Sequence, residues 1–283
     1  MKIKLSAFAD EAAVDLQGQI DAMKKNQIDL LELRSIDGNW VLDFTLEQAK
    51  GYAEVLEKNG IKVWSMGSPI GKVDINVDIN EYLEKVKHIC ELAKIFNTKK
   101  VRMFSFFDAY DNSDKVMEYL KKMLEVANEY NVEFYHENEK DIYGDVAERV
   151  LEIMEKVPGL KFVYDPANFI QCGEDSTKTL DLLHSKIDYF HIKDVIAETG
   201  ELVPPGCGSG NIEELVRRIK DDKVLTMEPH LAVFEAYSTI DNTEMKHKYC
   251  YKSNIEAFDA AVSAMKGILV KCGYKEVGTE FIK

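Results

Sequence analysis

The stretch Ile187-Asp188-Tyr189-Phe190-His191-Ile192-Lys193-Asp194-Val195 decides how the rest of the chain is interpreted. It is rich in apolar, β-branched and aromatic residues, which is typical of a buried strand. Side chains alternate between the two faces of a strand, so His191 and Lys193 point to the same side. An imidazole and an ammonium on a buried face need polar partners. We therefore expect carboxylates on the neighbouring strands.

Three other strand-like stretches end on a carboxylate. These carboxylates are Glu137, Asp165 and Glu228, and each follows a run of apolar residues. Together with the imidazole of His191, they predict a mononuclear metal site at corresponding strand ends. Such a donor set suits Mn²⁺, Mg²⁺, Fe²⁺ or Co²⁺ better than the thiolate-rich sites of structural zinc. Each residue taken singly is also compatible with a solvated strand end, so the prediction depends on the set of four.

Composition and charge limit the class of protein. With 283 residues and 46% hydrophobic side chains, the chain is long enough for one α/β barrel with an ample core. A net charge of −14 argues against a groove for a nucleic-acid backbone, which needs a basic stripe. The sequence shows no apolar run of membrane-spanning length and no signal-peptide pattern at its start. Its five cysteines lack a CxxC spacing, so neither structural zinc nor a disulfide framework is expected. We therefore expect a protein of the reducing cytoplasm, and the charge and the lack of apolar runs predict no nucleic-acid partner and no membrane.

Strand-like and helical segments alternate along the whole chain. The predicted strands are Lys2–Phe8, Ile28–Arg34, Ile61–Met66, Lys99–Phe107, the three segments that carry Glu137, Asp165 and His191, and Val224–Glu228. The predicted helices are Asp15–Lys25, a helix from Thr45 to Gly60 with Gln48 completing a capping box, Asn80–Phe96, a helix capped by Ser113 and ending near Asn131, Ile142–Val157, Ser176–Leu183, Ile212–Ile219 and Ile255–Lys271.

This alternation implies a parallel sheet, and eight units are enough to close it. We predict an α/β fold, a (β/α)8 TIM barrel that forms a single domain over residues 1–283. A doubly wound open sheet is the alternative, but no Gly-x-Gly-x-x-Gly follows the first strand. In a closed barrel the carboxyl ends of the strands converge on one axis, so the four candidate ligands can meet.

Four runs carry a resemblance to a known family: Tyr135–Glu139, Tyr164–Phe169, Phe190–Asp194 and Met227–Leu231. They resemble the sugar phosphate isomerase/epimerase family of the xylose-isomerase-like TIM barrel superfamily. That superfamily also includes ketose 3-epimerases, hydroxypyruvate isomerase, inosose dehydratase and endonuclease IV. The resemblance covers nearly the whole chain. It implies a sugar or polyol substrate and a divalent cation, commonly Mn²⁺ with Mg²⁺, Co²⁺, Fe²⁺ or Zn²⁺ as alternatives, bound by Glu137, Asp165, His191 and Glu228.

The chain departs from the family pattern at positions that face substrate in the relatives. Asn168 stands where family epimerases often carry a histidine, and Gly206-Cys207-Gly208 replaces a Gly-Glu-Gly loop. No arginine follows His191 at the family's usual distance. The identity of the sugar therefore cannot be carried over. The extra histidines of endonuclease IV are also missing after strands three and four, so a trinuclear site is not expected.

By this resemblance the chain is expected to be a metal-dependent sugar isomerase or epimerase. A C–H next to a carbonyl loses its proton, and an enediolate forms. Glu137 and Glu228 are the candidate base and acid because they come from different sides of the barrel mouth. Lys193, His230 and Asn168 are candidate substrate contacts, although Lys193 could equally form an ion pair with Asp165 or Glu228.

Other polar residues favour structural roles. His136 points away from the face of Glu137 and is expected to pack beneath a helix. Glu32, Arg34 and Arg102 are expected to form a separate salt-bridge layer in the half of the barrel opposite the metal. Lys72 lies in a glycine-flanked loop, and whether it binds a phosphate is left open.

Two other functional classes remain open at this point. One is a metal-dependent dehydratase or lyase that acts on a cyclic polyol of the inosose type or on a keto-glycoside. The other is a barrel that binds a sugar without turning it over, for which two opposed carboxylates would be unnecessary. A homo-oligomer is also compatible with the sequence.

Overall fold

Eight parallel strands close into a barrel in the computed structural model, which describes residues 1–231 and 251–283 and the backbone of Lys246–His247. The barrel strands are β1 Lys2–Ala7, β2 Leu30–Leu33, β3 Lys62–Gly67, β4 Lys100–Met103, β5 Glu133–Glu137, β6 Lys161–Tyr164, β7 Tyr189–Ile192 and β8 Lys223–Met227. Each pairs in parallel with the next, and β8 pairs with β1 from Ile3↔Lys223 to Ala7↔Met227. The predicted (β/α)8 barrel is confirmed.

Helices surround the barrel and bury their apolar faces against the strands. They are α1 Leu16–Lys25, α2 Leu46–Lys58, α3 Ile79–Ile95, α4 Ser113–Glu129, α5 Ala147–Lys156, α6 Pro166–Gln171, α7 Ser176–Leu183, α8 Ile212–Arg218 and α9 Asn254–Lys271. The predicted capping box of α2 is confirmed, because Thr45 and Gln48 each satisfy a backbone N–H of the other. Among the described residues, no helix combines the length and apolar character needed to span a bilayer.

The predicted fourth strand is too long. β4 ends at Met103, and Phe104–Phe107 instead follows the loop after β3. The backbone N–H of Phe104 donates to the carbonyl of Ile70, and that of Phe106 donates to the carbonyl of Gly71. Phe106 has a φ of 72°, which breaks the extended conformation despite its β-favouring sequence. Two loops at the carboxyl end of the barrel are thereby tied together.

The segments around α4 and α5 also differ from the prediction. Asn112, not Ser113, precedes the first residue of α4, and the Ser113 hydroxyl donates instead to Glu152. The helix predicted from Ile142 begins only at Ala147, because Tyr143–Asp145 forms a 3-10 turn with a non-helical Gly144. The buried ring of His136 lies directly beneath Gly144, where a Cβ would lie 2.4 Å from Cε1. The packed histidine is therefore confirmed, under a turn rather than a regular helix.

Two further segments extend the barrel. After β7, the pair Asp194–Val195 leaves the barrel and bonds antiparallel to Glu201–Val203, so the predicted seventh strand is split. At the other end of the barrel a hairpin of Lys275–Val277 and Glu280–Ile282 pairs antiparallel with β1. The sequence prediction contained no hairpin there.

Candidate metal centre

The four predicted ligands meet at the carboxyl end of the barrel. Glu137 is the last residue of β5, His191 lies in β7, and Asp165 and Glu228 directly follow β6 and β8. Each side chain offers a donor atom that lies within 4.8 Å of the other three, and all four residues are buried. We refer to Glu137, Asp165, His191 and Glu228 as the ligand cluster.

The two glutamates of the ligand cluster have nearly matching surroundings. Glu137 Oε1 lies 2.9 Å from His191 Nδ1, and Glu228 Oε2 lies 3.1 Å from the same nitrogen. The second oxygen of each glutamate faces an arginine. Glu228 Oε1 accepts a hydrogen bond from Arg34 Nη1 at 3.1 Å, and Glu137 Oε2 lies 3.4 Å from Arg102 Nε. Each glutamate thus presents one oxygen to the ligand cluster and one to a guanidinium group.

Asp165 is oriented by the start of α6. Its Oδ1 accepts backbone hydrogen bonds from Ala167 at 2.8 Å and Asn168 at 3.0 Å, as an N-cap residue does. Its Oδ2 is buried and accepts no hydrogen bond from the described residues, although Lys193 Nζ lies 3.0 Å away. The helix start therefore leaves Oδ2 as the oxygen available to a cation.

The chemistry of this donor set fits a divalent cation. One hydrogen on His191 Nδ1 cannot satisfy both carboxylate oxygens that face it. Buried carboxylates repel one another and lose hydration unless positive charge compensates them. Accordingly, burial and the neighbouring Glu137 and Glu228 raise the pKa of Asp165 to about 7 despite Lys193. A cation bound by three carboxylate oxygens and one imidazole nitrogen would remove these conflicts.

The carboxylates around His191 favour the protonated form of its ring. Burial disfavours the charged ring, but Glu137, Glu32 and Glu228 outweigh burial and raise the pKa of His191 well above its ordinary value. Burial would likewise raise the pKa of Glu228, but Lys193 and His191 hold that pKa well below its usual range. Lys193 and His191 thus favour the ionised form of Glu228.

The expectation of a separate salt-bridge layer is wrong. Arg34 and Arg102 contact the ligand-cluster glutamates, and Glu32 Oε2 lies 3.2 Å from His191 Nε2. The alternation of β2 and β4 identified the inward face correctly. Strand alternation does not indicate how far a long side chain reaches across a closed barrel. The contacts of the two arginines with the glutamates were missed for that reason. A lone acid or guanidinium facing inward on a strand is the signal that could have found it.

His230 takes part in a second buried group. Its backbone N–H donates to Glu11 Oε2 at 2.8 Å, and its Nε2 lies 3.2 Å from Glu11 Oε1 and 3.3 Å from Glu228 Oε1. Arg34 contacts both of these carboxylates and is itself held by Asp10 through two hydrogen bonds. Burial lowers the pKa of His230 to about 3, so the ring is neutral. The guanidinium already supplies the positive charge in this group.

Lys193 and Asn168 lie at the edge of the ligand cluster. Lys193 forms the ion pair with Asp165 that the sequence left open as an alternative to substrate contact. The Asn168 amide nitrogen donates to the carbonyl of Asn138 at 2.9 Å and lies 3.4 Å from Glu137 Oε1. Asn168 Oδ1 is buried and has no hydrogen-bond partner among the described residues. A role of either residue toward substrate stays a prediction.

An open pocket leads to Glu137 and Glu228. Its wall is partly apolar, with Trp40, Pro69 and Phe104. Lys72 also lines the pocket, but its Nζ lies 3.2 Å from Glu139 and 4.5 Å above the ring of Phe104. The pocket therefore combines the two glutamates of the ligand cluster with an apolar wall, as small-molecule sites combine a few polar groups with apolar side chains.

The glycine loop after β7 is filled by the chain's own carboxylate. Asp194 accepts backbone hydrogen bonds of 2.8–2.9 Å from Val195, Gly206, Gly208 and Gly210. A Cβ on Gly208 would lie 2.4 Å from Asp194 Oδ1, so this close approach requires glycine. TIM barrels often bind phosphate with the loops after strands seven and eight. In this chain Asp194 occupies those N–H groups.

The fold and the family are supported by comparison with known proteins. The model of the family described as xylose isomerase-like TIM barrel matches residues 20–242. No curated protein matches the sequence. Among solved structures, the probable 3-DHS dehydratase AsbF of Bacillus anthracis has a TM-score of 0.71 at 16% identity and covers 93% of this chain and 98% of its own.

Two further solved structures resemble the chain. The IOLI protein, solved with a bound zinc atom, has a TM-score of 0.72 at 18% identity, with 95% of this chain and 98% of that chain covered. D-psicose 3-epimerase from Clostridium cellulolyticum H10, solved with D-tagatose, has a TM-score of 0.67 at 14% identity, with 94% and 99% covered. At these identities the structures establish a shared fold.

Proposed function

This chain belongs to the xylose isomerase-like TIM barrel family, and on that premise we propose that it is a divalent-metal-dependent isomerase or epimerase. Its substrate is a sugar, keto-sugar or related polyol, from which a proton next to a carbonyl is removed. The observation that carries the proposal is the pair Glu137 and Glu228. Both lie in the ligand cluster, both face the pocket, and each has an arginine on its second oxygen.

The two glutamates serve as base and acid. One carboxylate accepts the proton from the substrate carbon, and the other returns a proton, to the opposite face in an epimerisation. Arg34 orients Glu228 through a charge-assisted hydrogen bond to one oxygen, and the charge of Arg102 lies 3.4 Å from one oxygen of Glu137. A cation bound to the ligand cluster supplies positive charge that stabilises the oxyanion developing as the proton leaves. Mn²⁺ is the cation we propose first.

The polar residues around the pocket support an unphosphorylated substrate. Among the described residues, four cations near the glutamates each lie 2.9–3.4 Å from at least one carboxylate: Arg34, Lys72, Arg102 and Lys193. The N–H groups of the glycine loop are occupied by Asp194. A phosphate would have to displace one of these carboxylates, whereas sugar hydroxyls can bond to them directly. Lys193, Asn168 and His230 are the residues we propose for such contacts.

The function is tested with the protein stripped of metal by chelator and then reloaded with Mn²⁺. A panel of ketoses and cyclic polyols is incubated in deuterated buffer and followed by NMR. An epimerase or isomerase incorporates deuterium at the carbon next to the carbonyl, and only after Mn²⁺ is restored. A dehydratase or lyase instead releases water and forms an enone. Binding of a panel member with no exchange and no elimination would support a non-catalytic barrel.

A further inference from the structure

Glu32 is a fully buried carboxylate inside the barrel, below the ligand cluster. Three side chains from β7 and β8 surround it. The Tyr189 hydroxyl donates to Oε1 at 2.8 Å, the Thr226 hydroxyl donates to Oε2 at 2.8 Å, and His191 Nε2 lies 3.2 Å from Oε2. A charge in such a place is costly, and well-packed apolar residues often serve stability as well or better. Its presence therefore calls for a role beyond packing.

The ring of His191 has a carboxylate at each nitrogen. Nδ1 faces Glu137 and Glu228 of the ligand cluster, and Nε2 faces Glu32. The plane of the ring is set by edge-on contacts with Phe8 and Tyr189, whose ring centroids lie 5.2 and 5.6 Å away. These apolar contacts restrain the orientation of the ring but do not distinguish its two nitrogens. Among the described residues, Glu32 is the carboxylate at Nε2, on the side away from Glu137 and Glu228.

We propose that Glu32 is a positioning residue that fixes the tautomer of His191. Glu32 accepts the Nε2 hydrogen, so the lone pair of Nδ1 points into the ligand cluster, where the cation binds. Tyr189 and Thr226 hold the Glu32 carboxylate in the orientation that this hydrogen bond requires. A carboxylate on the distal nitrogen of a metal-binding histidine orients the ring and increases its basicity. This inference rests on the proposed function only in that a cation binds at the ligand cluster.

The first test uses the unaltered chain loaded with Zn²⁺, which is diamagnetic. Long-range ¹H–¹⁵N NMR of ¹⁵N-histidine protein, with His191 assigned by its absence in His191→Ala, reports which ring nitrogen carries the hydrogen. We expect a single tautomer with the hydrogen on Nε2 and with Nδ1 shifted by zinc. A hydrogen on Nδ1, or zinc on Nε2, overturns the proposal without any variant of Glu32.

The second test measures Zn²⁺ affinity of Glu32→Gln by calorimetry, without substrate. We expect affinity to fall roughly 10–100-fold, as loss of an outer carboxylate typically does, and the tautomer signal to become mixed. Thr179→Val is the control, because it removes a buried hydroxyl that bonds to Tyr164 and Ser176 and to no residue of the ligand cluster. The control should lose stability but keep its zinc affinity. If Glu32→Gln also keeps its zinc affinity and a single tautomer, Glu32 has only a structural role.

The two proposals can fail separately. If the unaltered chain takes up no Zn²⁺ or Mn²⁺ at the ligand cluster, the metal-dependent function and this inference both fail. If it binds zinc but His191 has the other tautomer, only the role of Glu32 fails. If zinc binding and tautomer are as expected but no panel compound exchanges deuterium, the role of Glu32 stands and the isomerase proposal is contradicted.

Discussion

Asp165 and Asp194 are both fully buried aspartates that lie close beyond the ends of barrel strands, and they differ in what surrounds them. Asp194 accepts four backbone hydrogen bonds, which satisfy both of its oxygens. Asp165 has one oxygen bonded to the start of α6 and the other without a hydrogen bond from the described residues. The same end of the barrel therefore contains one buried carboxylate that holds a loop and another with an oxygen available to a cation.

The largest expected effect is on proton exchange at the substrate carbon, in variants of the two glutamates of the ligand cluster. Glu137→Gln and Glu228→Gln should each lower proton exchange at the substrate carbon about 10²–10⁴-fold, even under saturating Mn²⁺, because Gln cannot accept a proton as a carboxylate does. The loss should appear in kcat more than in KM. Deuterium incorporation by NMR is the measurement. Exchange within about threefold of the unaltered chain would make that glutamate a ligand only.

His191→Ala should lower metal affinity while the barrel stays folded. One ligand of four is lost, so the decrease in affinity should exceed the roughly 10–100-fold that loss of an outer partner costs. Most of the packed interior lies away from the barrel mouth and is unchanged. Calorimetry with Mn²⁺ measures affinity, and circular dichroism checks the fold. A variant that fails to fold even with excess metal would identify His191 as a core residue.

Asp194→Ala should give the opposite pattern to His191→Ala. Four backbone N–H groups lose a charged acceptor, so the free energy of unfolding should fall by about 3 kcal/mol. Metal affinity at the ligand cluster should stay unchanged, because Asp194 is not among the ligands. Thermal unfolding with and without Mn²⁺ measures both quantities. A large loss of metal affinity would show that the glycine loop and the ligand cluster are coupled.

The smallest expected effect is the increase in the free energy of unfolding when a metal ion binds. Elemental analysis should find one divalent cation per chain, because the second buried group of Glu11 and His230 shares Glu228 with the ligand cluster and already contains the guanidinium of Arg34. A cation at 100 times its dissociation constant should raise the free energy of unfolding by about 2.7 kcal/mol. Chelator should remove this increment in a thermal scan. Two tightly bound cations per chain would contradict the mononuclear site.

The barrel and the convergence of the four candidate ligands were predictable because each candidate lies at or next to the carboxyl end of a strand with an apolar sequence. In a closed parallel barrel, position at the strand end is nearly enough to place a residue. The contacts of Arg34 and Arg102 with the glutamates were not predictable in this way, since they depend on side-chain reach across the axis. The fourth strand was overextended at Phe104–Phe107, where hydrogen bonds to another loop override local β-propensity. Asp194 binds the glycine loop only because that loop folds back onto it, and sequence periodicity does not predict such a contact.

The pairing of β1 has a consequence for the order of folding. β1 pairs in parallel with β2 and β8 and antiparallel with the hairpin that contains Glu280–Ile282, and the last two partners lie more than 200 residues later. Such distant contacts are slow to form because the intervening chain must first be ordered. During synthesis the edge of β1 that faces β8 therefore stays unpaired until β8 has emerged, and Glu228 is the last residue of the ligand cluster to be made. We expect a metal ion to stabilise the finished barrel but to give little help to a growing chain.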